Sequence, residues 1–304
     1  MGFPSGPTPP RARSWHILAG EYPPQTGGVG DYTAQIAAGL ARAGCDVHVW
    51  TTAGSAGESP RNDDEEGVVV HRAPSRWTRA GLAQLGRALE GFPQPRRLLV
   101  QYVPNVWGQK GMNIGFAHWL RQRAAAGDDV QTMFHELWYH IEQGDRLIRR
   151  LLPPVQKYMV RQILQASRRA FLSSTHWEGL LRPYLRNGGP APCWTPVPSN
   201  VPVVHDPAGV AAIQRRILGD HAGADATIVG SFGTFQDIVA GPLLTAFPAL
   251  LDASDGAQSV LLIGRGSQEF AAGSATVGPI SQGESRRQER STFVTRRFMF
   301  RRAT

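Results

Sequence analysis

The sequence has little cysteine, and it lacks any apolar segment of the length that a membrane requires. Its 304 residues include only two cysteines, Cys45 and Cys193, which cannot build a disulfide framework, so the predicted compartment is a reducing cytoplasm. No apolar run approaches the roughly 20 residues of a spanning helix. The apolar core of a secretory signal does not follow Arg11 and Arg13. The composition therefore predicts a protein that is soluble or peripheral to a membrane.

Lysine is almost absent as well, which affects how the net charge of +8 is interpreted. Only two of the 32 cationic residues are lysine and 30 are arginine, a bias that we attribute to genome composition. From Glu284 onward there are seven arginines and two acids, a local charge of +5 that leaves about +3 for the rest. Because the body is only mildly basic, the charge predicts no nucleic-acid partner.

What the sequence does contain is an alternation of apolar strands and helices. Strands are predicted at 15–19, 47–52, 68–70, 98–103, 131–134 and 170–174, and helices follow most of them, at 75–90, 116–126, 147–166 and 175–184. The helical region 147–166 is interrupted near Pro153 and Pro154, where a helix must stop or restart. Alternating strands and helices predict a parallel sheet with right-handed crossovers. The fold class is therefore α/β.

A second, shorter region follows a segment rich in proline and glycine at 186–202, which predicts a domain boundary. A helix with Asp206 as its cap, a strand at 226–231, a helix at 239–253 and a strand at 259–263 come next. The apolar pattern then stops. We predict an N-terminal extension at 1–14, a first domain at 15–200, a partial second domain at 201–270 and an Arg-rich, disordered tail at 271–304.

The first predicted strand ends in a loop that contains Gly27, Gly28 and Gly30 at the start of a helix. A helix N-terminus favours phosphate, and glycine lets a ligand approach the backbone closely. A tight turn without a ligand has the same spacing. A nicotinamide site is disfavoured, because Thr33 occupies the third glycine position and the strand 47–52 lacks the acid that would hold a ribose.

Two further segments lie at predicted strand ends, where α/β proteins form ligand crevices. His135 follows the strand at 131–134, and a neutral imidazole there can bind a sugar hydroxyl or a phosphate oxygen; a histidine satisfied by neighbouring backbone is the alternative. Zinc binding with His140 is disfavoured, because five residues of helix turn the two side chains roughly 140° apart. Tyr102 and Asn105 end the strand at 98–103 and suit a sugar, although core packing explains Tyr102 equally well.

The segment Trp15–Thr52 closely resembles the first βαβ unit of the family 4 glycosyltransferases, retaining enzymes of the GT-B fold. The blocks Tyr22–Pro24 and Gly27–Tyr32 carry the match. Further motifs resemble the family in the family's own order over residues 15–270: Gln101–Asn105, Phe134–Glu136, Val197–Pro202, Gly230–Gly233 and Leu261–Gly266. The resemblance implies a GT-B-like architecture with a complete N-terminal Rossmann-like domain and a partial C-terminal one.

The same resemblance implies transfer of a sugar from a nucleotide-sugar donor to a glycan, lipid-linked or small-molecule acceptor. Gly27, Gly28 and Gly30 would approach the donor diphosphate and His135 the transferred sugar, as the catalytic residue. Tyr102 and Asn105 would face the acceptor. No metal and no cofactor are expected, since the nucleotide sugar is a substrate. Lipid-linked acceptors would suit a peripheral membrane contact by the basic region 146–169, for which an ordinary outer helix is the alternative.

Two departures from the family pattern concern the second domain. The family binds its donor through two glutamates separated by seven residues, which nothing after Gly266 supplies, and the segment 234–237 lacks the cation that often holds the diphosphate. Glu284 and Glu289 have neither the spacing nor a strand–helix context. We therefore expect impaired activity from a truncated second domain. The alternatives are a non-catalytic binding domain or fragment and, third, an unrelated α/β nucleotide-binding protein.

Overall fold

The computed structural model describes residues 14–52, 61–65, 67–73, 75–141, 146–185, 191–199, 203–218, 227–233, 235, 237–252, 258–264 and 266–273. Contacts along the backbone divide the chain into two units, Met1–Pro202 and Val203–Thr304. Within the described residues, no helix is both long enough and apolar enough to cross a bilayer. Each unit is described by itself below.

The first unit is built on an eight-stranded sheet. Its strands are β1 (Ser14–Ala19), β2 (Asp46–Thr51), β3 (Arg61–Glu65), β4 (Val68–Arg72), β5 (Arg97–Tyr102), β6 (Asp129–Phe134), β7 (Arg169–Leu172) and β8 (Cys193–Trp194). Their order across the sheet is β3-β4-β2-β1-β5-β6-β7-β8. All neighbours are parallel except β3, which runs antiparallel to β4. The predicted α/β class and parallel sheet are confirmed.

Among the described residues of this unit, five α-helices pack around the sheet: α1 (Gly28–Arg42), α2 (Arg79–Glu90), α3 (Ile114–Ala125), α4 (Leu152–Ala166) and α5 (His176–Leu181). Adjacent strand residues point to opposite faces. Ile17 accordingly joins a core cluster with residues of α1, whereas Leu18 joins a larger cluster that contains residues of α2, α3, α4 and α5. Because both faces of the sheet are buried, the sequences of its central strands are continuous apolar runs and do not alternate between apolar and polar residues.

The helix starts are fixed by local capping and by proline. Thr78 Oγ1 accepts a hydrogen bond from the Gly81 N–H at 3.1 Å, so α2 begins at Arg79 and not at 75 as predicted. Asn113 Oδ1 accepts one from the Phe116 N–H at 3.0 Å and caps α3. The predicted helix at 147–166 is divided, because Leu147–Leu151 forms a 3₁₀ turn and α4 begins beside Pro153. The restart beside the proline pair agrees with the predicted interruption near Pro153 and Pro154.

Two strands of the first unit were not expected. β3 lies in a stretch where no strand is predicted, because its five residues (Arg-Asn-Asp-Asp-Glu) show no apolar alternation. Its pairing with the buried strand β4 decides its conformation. β8 has two residues, within the segment predicted as a linker, and pairs with β7. Both are edge strands, where tertiary pairing outweighs local preference.

The second unit contains α6 (Pro207–Leu218), β9 (Thr227–Phe232), α7 (Asp237–Asp252), β10 (Gln258–Ile263) and α8 (Ser267–Gly273). β9 and β10 form a parallel pair. Its core joins Phe235, Phe247, Val260, Leu262 and Ala271. The predicted disordered tail was wrong at its start, because Ala271 lies in α8 and is buried. The rest of that prediction, at 274–304, falls outside the described residues.

Candidate active site at the carboxyl edge of the sheet

The carboxyl ends of β1, β5 and β6 lie side by side, since these strands are parallel neighbours. β1 is followed by Gly20, whose carbonyl accepts a hydrogen bond from Thr52 Oγ1 at 3.1 Å and so joins the ends of β1 and β2. A side chain at Gly20 would overlap Val106, which follows β5. The segments after these strands are therefore packed closely enough to form one site.

The N-terminus of α1 already holds a carboxylate from within the chain. The Gly30 N–H donates to Glu21 Oε1 at 3.0 Å. A Cβ at Gly27 would overlap the same carboxylate, so glycine at this position makes room for Glu21. A negative charge is favourable at a helix N-terminus. Glu21 is not predictable from local sequence, because it precedes its partner by nine residues and matches no local capping pattern.

The three glycines predicted to approach a diphosphate therefore differ. Gly30 is buried and its N–H is engaged, and the space beside Gly27 is filled. Gly28 is exposed and is the first residue of α1. Apart from its chain neighbours and the nearby backbone of its own helix, no atom lies within 4 Å of the position that a Cβ would take. Backbone at Gly28 is thus open to a ligand. Diphosphate binding by all three glycines stays a prediction.

His135 lies at the same edge and is held on several sides. Its Nε2 is 2.8 Å from Gln101 Oε1, and its ring meets that of Tyr32 edge-on, with centroids 5.1 Å apart. The backbone N–H of His135 donates to the Tyr102 carbonyl at 3.0 Å. Because Tyr32 belongs to α1, this contact places the imidazole beside the helix that Gly28 begins.

The environment of His135 determines its charge and its tautomer. Burial lowers the pKa of His135 to about 4, so the ring is neutral at physiological pH. With Gln101 Oε1 accepting, the proton sits on Nε2, and Nδ1 is left as an acceptor for a substrate hydroxyl. Gln101 begins the motif Gln101–Asn105, but its contact with His135 was not predicted. The role of His135 at the sugar stays a prediction.

The two residues predicted to face the acceptor occupy different environments. Tyr102 is fully buried and packs edge-on against Phe134, at 5.4 Å between ring centroids. Burial raises its pKa, and its hydroxyl has no hydrogen-bond partner among the described residues. Its surroundings match the core-packing alternative. Asn105 is exposed and follows β5 at the site edge. Acceptor binding by either residue is untested by these contacts.

The zinc alternative gains no support from the geometry. His140 is exposed and stacks on Trp177, with ring centroids 6.5 Å apart. In the described part of the chain, no group of three or more histidine, cysteine or acidic side chains is arranged to hold a metal.

Known proteins resemble this chain mainly in fold. The glycosyl transferase 4-like domain matches residues 27–199. No curated protein matches. The catalytic domain of starch synthase IV from Arabidopsis thaliana, bound to ADP and acarbose, aligns with a TM-score of 0.51 at 14% identity, over 83% of this chain and 68% of that one. Trehalose 6-phosphate synthase from Burkholderia multivorans aligns with a TM-score of 0.48 at 14% identity, over 85% and 65%.

The chain spans about two thirds of the length of these solved structures. The likeness to starch synthase shows the fold, which is the GT-B type with Rossmann-like α/β units, the second of them partial. The domain match shows more, because it covers more than half of the 304 residues and includes Gly28, Tyr102 and His135. The chain belongs to the glycosyl transferase 4-like domain family.

Proposed function

We propose that this protein transfers a sugar from a nucleotide sugar to a hydroxyl-bearing acceptor, and that the edge described above is where the sugar is transferred. The observation that carries the proposal is the contact between Tyr32 and His135. It joins a neutral imidazole to the helix whose first residue, Gly28, has open backbone. The starch synthase structure, which holds ADP and acarbose, supports a nucleotide-sugar donor for the same fold.

The site offers two kinds of interaction to such a donor. The Gly28 backbone and the positive end of α1 stabilise negative charge, which develops on the diphosphate as the glycosidic bond breaks. His135 Nδ1 accepts from a hydroxyl of the transferred sugar while Gln101 holds Nε2. The Glu21 carboxylate lies at the same helix terminus and opposes a close anion, so the diphosphate is expected on the exposed side of Gly28.

We expect turnover of this 304-residue chain to be slow. The paired glutamates of the family are absent after Gly266, and no cation follows Gly233 within 234–237. Transition-state stabilisation at the donor would be smaller without them. The alternative is a binding domain that holds an acceptor or a nucleotide without transfer. The two differ in whether nucleoside diphosphate is released.

The experiment is a release assay on the purified protein with UDP-, ADP- and GDP-glucose, together with calorimetric titration of the three nucleoside diphosphates. The key variant is Gly28→Ala, since its methyl group meets no protein atom and obstructs only a ligand. Gly179→Ala is the matched control, a second exposed helical glycine with open surroundings. Loss of binding in the first variant alone supports the proposal. Binding without release favours the binding domain, and equal effects of both variants contradict the site.

A peripheral membrane contact is a second proposal, favoured by one patch beside α4. Leu151 and Ile141 are 54% and 52% exposed, and Arg149 and Arg150 are exposed next to Leu151. Apolar side chains between cations suit an anionic bilayer surface. Flotation with phosphatidylglycerol vesicles should exceed flotation with phosphatidylcholine vesicles and should fall in Leu151→Ser. Equal flotation with both lipids would count against the contact.

A further inference from the structure

The turn that follows β5 is left-handed over four consecutive residues. Gly108 and Gly111 have φ of +80° and +81°, and between them Gln109 and Lys110 have φ of +52° and +54°. Glycine adopts this region freely, whereas residues with a side chain do so rarely, and almost always singly. Two such residues in succession mark backbone strain, which is concentrated at functional sites.

Two buried polar side chains form hydrogen bonds with the backbone at the ends of this turn. Gln156, which is fully buried, donates from Nε2 to the Gly111 carbonyl at 3.1 Å and accepts from the Tyr139 N–H at 2.6 Å. Asn113, also buried, donates from Nδ2 to the Trp107 carbonyl at 2.7 Å. The fold therefore fixes both ends of the turn by specific hydrogen bonds.

The exposed side of the turn presents donors and no acid. The side chains of Gln109 and Lys110 are exposed. Among the described residues, neither backbone N–H has an acceptor, and the Lys110 ammonium has no ion-pair partner. Successive N–H groups in a turn form an anion-binding concavity. An ammonium group beside them adds a compact charge that suits phosphate.

The turn also adjoins the predicted acceptor segment. A Cβ at Gly111 would lie 2.7 Å from Asn105 Oδ1 and 2.8 Å from Gln156 Nε2, so this glycine allows Asn105 to pack against the turn. Asn105 follows the carboxyl end of β5, and the neighbouring strand β6 ends just before His135. A group bound at Lys110 would therefore belong to a molecule that lies on the acceptor side of the candidate active site.

We propose that the Gly108–Gly111 turn binds a phosphate group of the acceptor through Lys110 and the backbone N–H groups of Gln109 and Lys110. That the bound molecule is the acceptor rests on the proposed transferase function, whereas phosphate binding by the turn does not. The acceptor is then a phosphorylated sugar or polyol, or a lipid with a phosphate headgroup. Both share the same phosphate chemistry, and the test distinguishes them.

The scarcity of lysine allows a direct measurement. Lys110 and Lys157 are the two lysines of the chain, so protein labelled with carbon-13 lysine gives two side-chain NMR signals. Lys157 is an internal reference, because its Nζ lies over the Trp138 ring at 5.2 Å. The probes are inorganic phosphate, glucose 6-phosphate, short-chain phosphatidylglycerol below its micelle concentration and, as the uncharged control, glucose. We expect a saturable shift of the Lys110 signal alone with the phosphorylated probes and none with glucose.

Two glycine variants separate charge from backbone strain. Lys110→Gly and Gln109→Gly both relieve a left-handed residue, so both should fold. Only the first removes the ammonium, and it should weaken calorimetric binding of glucose 6-phosphate by about tenfold or more, the usual value of one charge-assisted hydrogen bond. Gln109→Gly should retain the affinity within about twofold. Equal losses in both variants, or equal shifts of both lysine signals, would overturn the proposal.

The lipid and sugar sources give different results. Tighter binding of short-chain phosphatidylglycerol than of glucose 6-phosphate supports a lipid headgroup, and the reverse supports a soluble phosphate ester. Saturable binding at Lys110 without donor turnover leaves this site standing while the transferase proposal fails. Donor turnover in a protein whose Lys110 signal no phosphorylated probe shifts has the opposite meaning: the transferase proposal stands and the phosphate subsite is refuted.

Discussion

The two units of this chain differ in how completely they exclude water. In the first, Ile17, Leu18 and Val49 are fully buried between helices on an eight-stranded sheet. In the second, the two strands that the structure describes leave Phe232 72% exposed, on a strand none of whose residues is buried. A pair of strands by itself is too small to shield both faces of a sheet. The first unit should therefore provide most of the stability, and the second should be the easier one to perturb.

The largest expected effect is in the first unit, at a buried carboxylate. Asp128 is fully buried and accepts from Arg96 Nε and Arg123 Nε, both at 2.6 Å. Asp128→Asn removes the buried counter-charge of Arg96 and leaves Arg123 only the exposed Glu90 carboxylate, at 3.6 Å. It should cost about 3–5 kcal/mol of unfolding free energy. Urea denaturation followed by circular dichroism measures this loss.

The matched control is Asp206→Asn in the second unit. Asp206 caps α6 by accepting from the Gly209 N–H at 2.8 Å, and it is exposed. Asparagine is an equally good cap, so this variant should change stability by less than about 0.5 kcal/mol. Similar losses in both variants would contradict the difference in burial between the units.

A pair of core truncations compares the units directly. Leu98 is a buried leucine in strand β5 of the first unit, and Leu262 is a buried leucine in strand β10 of the second. Leu98→Ala should cost about 3–5 kcal/mol, because the tightly packed site cannot collapse, and Leu262→Ala about 2 kcal/mol. Tryptophan fluorescence reports on the first unit, since all eight tryptophans precede residue 203. A fluorescence midpoint that Leu262→Ala shifts as much as Leu98→Ala does would mean that the units unfold together.

The sequence predicted the parts of both units that local pattern decides. The run at Leu98–Val103 gives β5, and Asp206 followed by proline gives the start of α6. What escaped prediction depends on contacts between distant residues. The polar strand β3 exists because β4 pairs with it, and Gly27 makes room for a carboxylate that belongs to Glu21.

The site itself was predicted by position more than by chemistry. The strand-end rule located His135 and the open backbone of Gly28, because parallel strands end at one edge. It could not show that Tyr102 is buried, since the same alternation places it in the core or at the surface. The left-handed conformation of Lys110 has no signal in the sequence beyond its flanking glycines.

Acid should act on the first unit through a row of stacked rings that contains His16, His48 and His71. Burial, with repulsion from neighbouring cations, lowers the pKa of His16 to about 3 and that of His71 to about 4. In the unfolded chain these histidines bind protons below about pH 6.5, whereas in the folded unit His16 and His71 bind them only near about pH 3 and 4. The unfolding free energy should therefore fall by up to about 1.4 kcal/mol per pH unit for each histidine as the pH drops from 6.5 to 4.

This loss is measured by urea denaturation at several pH values, with fluorescence as the signal for the first unit. In His16→Gln the unfolding free energy should fall less steeply between pH 6.5 and 4, because one histidine that protonates only in the unfolded chain is removed. An unchanged slope in that variant would show that the ring row does not control the acid response.

The smallest expected effect concerns the helix terminus that each unit closes with a carboxylate. In the second unit the cap of α6 is local, whereas in the first Glu21 reaches the Gly30 N–H from nine residues away. Glu21→Gln keeps an acceptor for that N–H but removes a negative charge beside Gly28. If a diphosphate binds there, its affinity should rise by about twofold to fivefold, as expected for one charge near a helix end. Calorimetric titration with UDP and ADP measures the change.

Glu178→Gln, in the first turn of α5, is the control that alters the same net charge at another helix start. Equal gains in both variants would reflect net charge alone, and a weaker affinity in Glu21→Gln would mean that the carboxylate helps to hold the ligand instead of opposing it.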